Sequence, residues 1–202
     1  MRPQNLSGSL CCLSLLLLVF VPSAITQSQA GGKHQANSDR KEPSMFHLIS
    51  TAFETESNVP MQYSCDGRNI SPELSWSGAP AGTKSFALVM HDPDAPVAGG
   101  YTHWLVYNIP ATVNQIAENA PSQNRLPSGG MQGKNDSGSY GYTGPCPPSG
   151  THRYYFRLYA LDTELDPRAG ASKAALEKAM QGHALAQAEL LGRYKRPSGK
   201  AA

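Results

Sequence analysis

Three stretches of this chain carry apolar positions at strand length and strand period. Residues 85–90 (Ser85-Phe86-Ala87-Leu88-Val89-Met90) form a short, nearly continuous apolar run, the pattern of a strand buried on both faces. Residues 102–109 form a second run and are its expected neighbour. Residues 152–161 alternate instead. Tyr154, Phe156, Leu158 and Ala160 share one side, and Arg153, Tyr155, Arg157 and Tyr159 the other, as a strand with one face in the core requires. Residues 45–50 read as a first strand, with Phe53 continuing it after a break, and 74–76 as a half-buried one. Residues 59–63 and 69–72 read as extended. Asp66-Gly67 and the breaker-rich 78–83 supply turns between them. Spacings of this kind predict a mainly β fold, an antiparallel sandwich. Residues 114–118 read as one helical turn. The clearest helical period comes after Ser172, a capping residue, with Ala175, Leu176, Ala179, Met180, His183 and Ala186 on one face. Gly182 weakens that helix by about 1 kcal/mol relative to Ala and divides it. Tyr194 ends the fold, and 197–202 read as a tail.

The pattern before residue 45 is different. Residues 10–21 are almost wholly apolar, after a weakly positive start at Met1-Arg2 and ahead of small residues at Ser23, Ala24, Ser28 and Ala30. This is the layout of a secretory signal peptide over 1–30, with cleavage after Ala24 or Ala30. The apolar core is about a dozen residues, short against the roughly 20 of a membrane span; an uncleaved anchor is the rival reading. Cys11 and Cys12 precede the apolar run, which argues against a lipid-anchored cysteine. Residues 31–44 are polar and aperiodic, a disordered linker. The domain is therefore expected over 45–196, in an exported protein, periplasmic or secreted. Export leaves Cys65 and Cys146. An even pair in an oxidising compartment suggests a disulfide, and two small buried thiols are the alternative. The net charge of +2 gives no strong field toward nucleic acid or an anionic membrane.

Candidate chemistry concentrates after the first apolar run, in His91-Asp92-Pro93-Asp94-Ala95-Pro96. Each proline fixes its own φ and pushes the preceding residue out of the helical region. Asp92 and Asp94 therefore sit on a stiff loop. With His103 and His152 they suggest a polar cavity in which an aspartate orients a cationic imidazole toward a phosphate or carboxylate. The plainer reading makes both aspartates Asx turns that satisfy loop amides. Two His and two Asp are also zinc-ligand types, yet no His-x-x-x-His or Cys-x-x-Cys spacing occurs, and neither metal nor cofactor is expected. No Gly-x-Ser-x-Gly elbow or phosphate-binding loop is present. The Gly-rich stretch 127–144 reads as a long loop, functional or mobile. Trp76 is expected in the core, His183 on the helix.

These motifs in order resemble the phosphatidylethanolamine-binding protein family, in its bacterial Raf-kinase-inhibitor-like branch. The resemblance rests on Asp92-Pro93-Asp94-Ala95-Pro96, His103-Trp104, Gly144-Pro145-Cys146-Pro147-Pro148 and Gly150-Thr151-His152-Arg153-Tyr154. Cys65-Asp66-Gly67, Asn69-Ile70-Ser71-Pro72, Leu74-Ser75-Trp76, 182–186 and Gly192-Arg193-Tyr194 also fit. It implies a β-sandwich with a few short peripheral helices and a small anion pocket near one end. Carried over by motif, the pocket residues are Asp92, His103, Gly144, Pro145, Pro147, Pro148, His152 and Tyr154, with Asp94 and Pro96 bracing the loop. The implied ligand is a small anionic or phosphate-bearing group such as a phospholipid headgroup, so that membrane contact is at most through headgroups. Inhibition of, or interaction with, a protein partner is the alternative. A hydrolase using Asp92 and His152 as acid and base is a third reading, and it lacks a visible nucleophile.

Overall fold

The structure, a computed structural model, describes residues 45–166, 168 and 172–198; the expected signal peptide and linker lie outside the described residues. Its strands are β1 (His47–Ile49), β2 (Leu74–Ser77), β3 (Ser85–Asp92), β4 (Tyr101–Pro110), β5 (Gln115–Ile116), β6 (Met131–Gln132), β7 (Thr151–Leu161) and β8 (Ala184–Lys195), with helix α1 (Lys173–Met180) before the last. They form two antiparallel sheets, ordered β1-β2-β5 and β6-β4-β3-β7-β8. The fold is mainly β, as the apolar pattern predicts. Among the described residues the few short helices are one α-helix, near the C-terminal end as expected, and one 3-10 turn, Met61–Tyr63.

The continuous apolar run becomes the most enclosed strand. Every residue of β3 is buried, because β4 and β7 pair with its two edges and side chains cover both faces. One face packs toward the small sheet. Phe86, Leu88, Met90, Trp104, Phe156 and Leu158 meet Leu48, Leu74 and Trp76 there. On the other face Ala87, Val89, Leu105 and Tyr107 are covered by Leu165 and by Leu176 and Met180 of α1. Burying side chains of this size contributes roughly 1.5–3 kcal/mol each.

β4 is the irregular strand, and its two register shifts matter. Phe86 pairs Ile109 while Leu88 pairs Val106, so β4 carries one extra residue there. Asn108, with φ +52°, takes up the distortion, and its side chain bonds both the amide and the carbonyl of Leu165 at 2.8 Å. The second shift lies between Met90, opposite Trp104, and His91, opposite Thr102. His103 is the extra residue. A bulge bends its strand and re-aims side chains.

Three expectations change. The helix ends at Met180, short of the expected Ala186, and 184–195 is instead β8, paired with β7 along its length. Gly182, at φ +79°, ends the helical path. Ala186, Ala188 and Leu190 then turn toward the core while Gln187 and Glu189 face out. Residues so rich in Ala, Leu, Gln and Glu favour helix locally, and pairing with β7 overrides that preference. His183 accordingly lies in the turn, exposed and bonded to Asp162 at 2.8 Å. Residues 114–118 contribute β5 rather than a helical turn, and 61–63 are 3-10 rather than extended.

Cys65 and Cys146 lie at disulfide-bonding distance, S–S 2.07 Å, with Cα atoms 5.4 Å apart and a sequence separation of 81. The Cys65 amide also donates to the Pro145 carbonyl at 3.1 Å. A cross-link over so long a loop stabilises by roughly 2–4 kcal/mol. The double variant Cys65→Ser/Cys146→Ser should lose that amount in urea unfolding without reductant. Equal stability of variant and wild type would show that the pair is not bonded.

Candidate functional site

Five pieces of chain meet at one end of the five-stranded sheet: the end of β3, the loop after it, the start of β4, residues 143–148 and the start of β7. They enclose a cavity of about 300 Å³. Asp92, His103, Thr143 and His152 supply its side-chain polarity. Ala95, Pro96, Val97, Pro147 and Pro148 form apolar walls, completed by Tyr101, Gly144 and Cys146.

Asp92 uses both carboxylate oxygens on the protein. Oδ2 accepts from His152 Nδ1 at 2.8 Å, and Oδ1 accepts from the Asp94 amide at 2.8 Å. The side chains of the pair are only 4% and 9% exposed, so little water competes. Asp94 points elsewhere. Its Oδ2 accepts from the Arg153 amide and Nε, both at 2.9 Å, and Oδ1 accepts from Arg153 Nη2 at 2.7 Å. The Arg153 guanidinium holds the Asp94 carboxyl well below the usual range, at about 2. This fork fastens the proline-locked loop to β7, one residue past His152, and so brings Asp92 against its imidazole. The two acids of the motif therefore do different things.

His103 is placed by the β4 bulge. Its Nδ1 lies 2.7 Å from the Thr143 carbonyl, which can only accept, so Nδ1 carries the proton. Thr143 returns a bond, its amide donating to the His103 carbonyl at 3.0 Å. Burial pushes the His103 pKa down to about 4, against the opposing pulls of the Thr143 carbonyl and Asp92. The ring sits between Tyr101, centroids 4.8 Å apart, and the edge-on ring of Tyr154 at 5.2 Å.

The opposite wall is anchored from the 61–69 region. The Gly144 amide donates to Asn69 Oδ1 at 2.7 Å, and Tyr142 Oη donates to the Tyr63 carbonyl at 2.6 Å. A side chain at 144 would run into the Tyr63 carbonyl and the Asn69 side-chain oxygen, so only glycine fits.

Of the expected residues, Asp92, His103, Gly144, Pro147, Pro148 and His152 line the cavity. Tyr154 does not: it is fully buried in the core behind the wall, with its hydroxyl beside Asp92 and the Cys146 backbone. Burial, followed by the Asp92 charge, raises its pKa. Its position follows from the alternation already visible in β7, where 154 shares the inward face with 156 and 158. Pro145 is likewise not part of the lining and serves through its carbonyl. Pro96, expected as a brace, is a wall residue. Cys146, within the expected segment 144–148, also lines the cavity, and Ala95, Val97, Tyr101 and Thr143 join the lining without having been expected there. Tyr101 had a signal, two positions before His103 in a strand. Thr143 had none, since its role depends on a contact across 40 positions.

The architecture is an antiparallel β-sandwich with one small, proline-walled cavity built around a His–Asp pair. The chain belongs to the phosphatidylethanolamine-binding protein family, whose model matches residues 49–195. A UPF0098 protein of Methanothermobacter thermautotrophicus is 54% identical over 151 residues, which cover 75% of this chain and 99% of that one. The UPF0098 protein YbcL of Escherichia coli K12 is 48% identical over 126 residues, 60% of this chain and 69% of that one. Among solved structures, a putative phosphatidylethanolamine-binding protein homolog from Chlamydia trachomatis superposes with a TM-score of 0.70 at 42% identity, covering 76% of this chain and 99% of the other. The E. coli YbcL crystal structure gives 0.71 at 38% identity, covering 75% and 99%.

The buried His103 makes stability depend on pH. Its folded pKa, about 4, lies below the ordinary 6.5, so the unfolded chain takes up a proton first as pH falls. Stability is full above pH 6.5 and is lost toward pH 4, by roughly 3 kcal/mol. His91, whose pKa is lowered by burial and then by Lys173 and Arg157, adds to the same slope. Urea unfolding between pH 7 and pH 4 should show the loss, and His103→Gln should flatten it. An unchanged slope in the variant would exclude His103 as its main source.

Proposed function

We propose that this protein is an exported binding protein whose cavity holds a small anionic, phosphate-bearing group, such as the phosphate of a phospholipid headgroup, without chemical turnover. The observation that carries the reading is the enclosed Asp92–His152 pair in the cavity wall. Asp92 fixes the ring through Nδ1 and stabilises an imidazolium, which leaves Nε2 to donate to a ligand oxygen. The carboxylate itself is satisfied by His152 and the Asp94 amide, so it does not confront the ligand as a free acceptor. The volume lies at the lower end of small-molecule sites. It suits a headgroup-sized molecule, with the proline walls against its carbon chain.

Covalent turnover would need a side-chain nucleophile, and the candidates in the wall are committed. Cys146 is at bonding distance from Cys65, and Thr143 Oγ1 accepts from Asn135 Nδ2 at 2.8 Å. The name of the family points to the same ligand chemistry. The apolar leader at 10–21 and the cysteine pair support export.

Calorimetric titration with phosphate and phosphorylethanolamine tests the assignment. Wild type should bind, and His152→Ala should bind at least about tenfold more weakly, as expected when a charge-assisted hydrogen bond is removed. Equal affinity in the two proteins, or none in either, would sink the reading.

A further inference from the structure

Two features of the cavity limit the charge it can accept. Among the described residues no Lys or Arg lines it. Two carboxylates act on His103, Asp92 from β3 and Asp136, whose Oδ2 accepts from the Thr102 amide at 2.7 Å, and His91 acts against them. The second feature is the tautomer of His103. Because Nδ1–H is given to the Thr143 carbonyl, the neutral ring keeps a lone pair on Nε2. That nitrogen makes no hydrogen bond to the described protein, and the ring edge that carries it is turned away from Thr143. His152 is complementary: its Nδ1 is held by the buried Asp92 carboxylate at 2.8 Å, the partner that favours a second proton on Nε2, directed at a bound anion. The cavity thus presents one acceptor and one donor.

A fully deprotonated oxyanion facing the His103 lone pair would be repelled. A ligand O–H there would form a hydrogen bond. We propose that the cavity selects a singly protonated oxyanion, a phosphate or phosphomonoester whose own P–OH donates to His103 Nε2 while an ionised oxygen accepts from His152. The site then discriminates against sulfate and phosphodiesters, which carry no such proton near neutral pH. The inference rests on the phosphate-binding reading above and narrows it, favouring free headgroup monoesters over intact diester lipids.

The surroundings of His103 agree. The protein is a poor source of the shared proton, since burial disfavours the charged ring. From β3, His91 also opposes that charge while Asp92 favours it; Asp136 favours it from the loop after β6. Tyr101 and Tyr154 contribute ring faces and edges. The ligand is therefore the readier proton donor.

The test is titration of wild-type protein with inorganic phosphate, sulfate, methyl phosphate and dimethyl phosphate at pH 6 and pH 8. At pH 6, phosphate and methyl phosphate should bind roughly tenfold or more tightly than sulfate and dimethyl phosphate, the penalty of an unmet polar pair. Any change in the protein's donors between the two pH values acts on phosphate and sulfate alike, so the phosphate-to-sulfate ratio isolates the ligand's proton. That ratio should fall toward pH 8, as the second phosphate ionisation, near pH 6 for a monoester, is passed. His103→Gln, whose amide can turn a donor to the ligand, should narrow the ratio at pH 6. Equal binding of phosphate and sulfate, equal binding of methyl and dimethyl phosphate, or a ratio that does not change with pH would overturn the selectivity while leaving phosphate binding intact. Failure of all four probes to bind would overturn the phosphate reading as well.

Discussion

β3 is hydrogen-bonded along both edges, and the cavity depends on that double pairing. β4 on one side delivers Tyr101 and His103, β7 on the other delivers His152, and β3 itself ends in Asp92. No neighbouring pair of strands alone would bring the three polar groups together. The apolar core on both faces of β3 is thus also the frame of the site. Its rigidity lets a single 2.8 Å contact, Asp92 to His152, set the direction of an imidazole.

The two aspartates of the proline-locked loop show how neighbouring positions acquire separate tasks. Asp92 is nearly sealed and holds a ring that opens on the cavity. Asp94 is partly exposed and holds an arginine whose side chain is 44% exposed. Water screens the second pair, so its geometric effect outweighs its contribution to stability. By tying the loop to the start of β7 it fixes where Asp92 can stand.

Much of this is legible in the chain because it is local. The alternation at 152–161, the apolar run at 85–90 and the prolines at 93 and 96 each determine their own conformation. The elements that local patterns misassign are those decided by partners far away. Residues 184–195 have a composition equally suited to a helix, and only β7 makes them a strand. Residues 115–116 become β5 by pairing with β2. At the site, the identity of the cavity-lining residues is largely readable from motif order, and their roles are not. Tyr154 illustrates this: it backs the wall from the core, its ring against His103 and its hydroxyl beside Asp92, and does not line the cavity. The proton on His103 follows from Thr143, which no spacing reveals.

The irregularity of β4 has a consequence for how its sequence can change. The strand inserts two single residues relative to β3, and each insertion shifts by one the positions along the chain that face inward beyond it. Trp104 and Val106 look toward the small sheet, as does Ile109 beyond the first insertion, three positions on rather than two. The strand thus behaves like a reading frame carrying two one-letter insertions. Deleting either letter alone would leave a plainly alternating strand: without Asn108, Val106, Tyr107 and Ile109 would still face the small sheet, the opposite side and the small sheet in turn. What each deletion removes is the inserted residue itself, the side chain that ties β4 to Leu165 in one case and a ring lining the cavity in the other. The core is thus indifferent to the two extra letters, and the site is not.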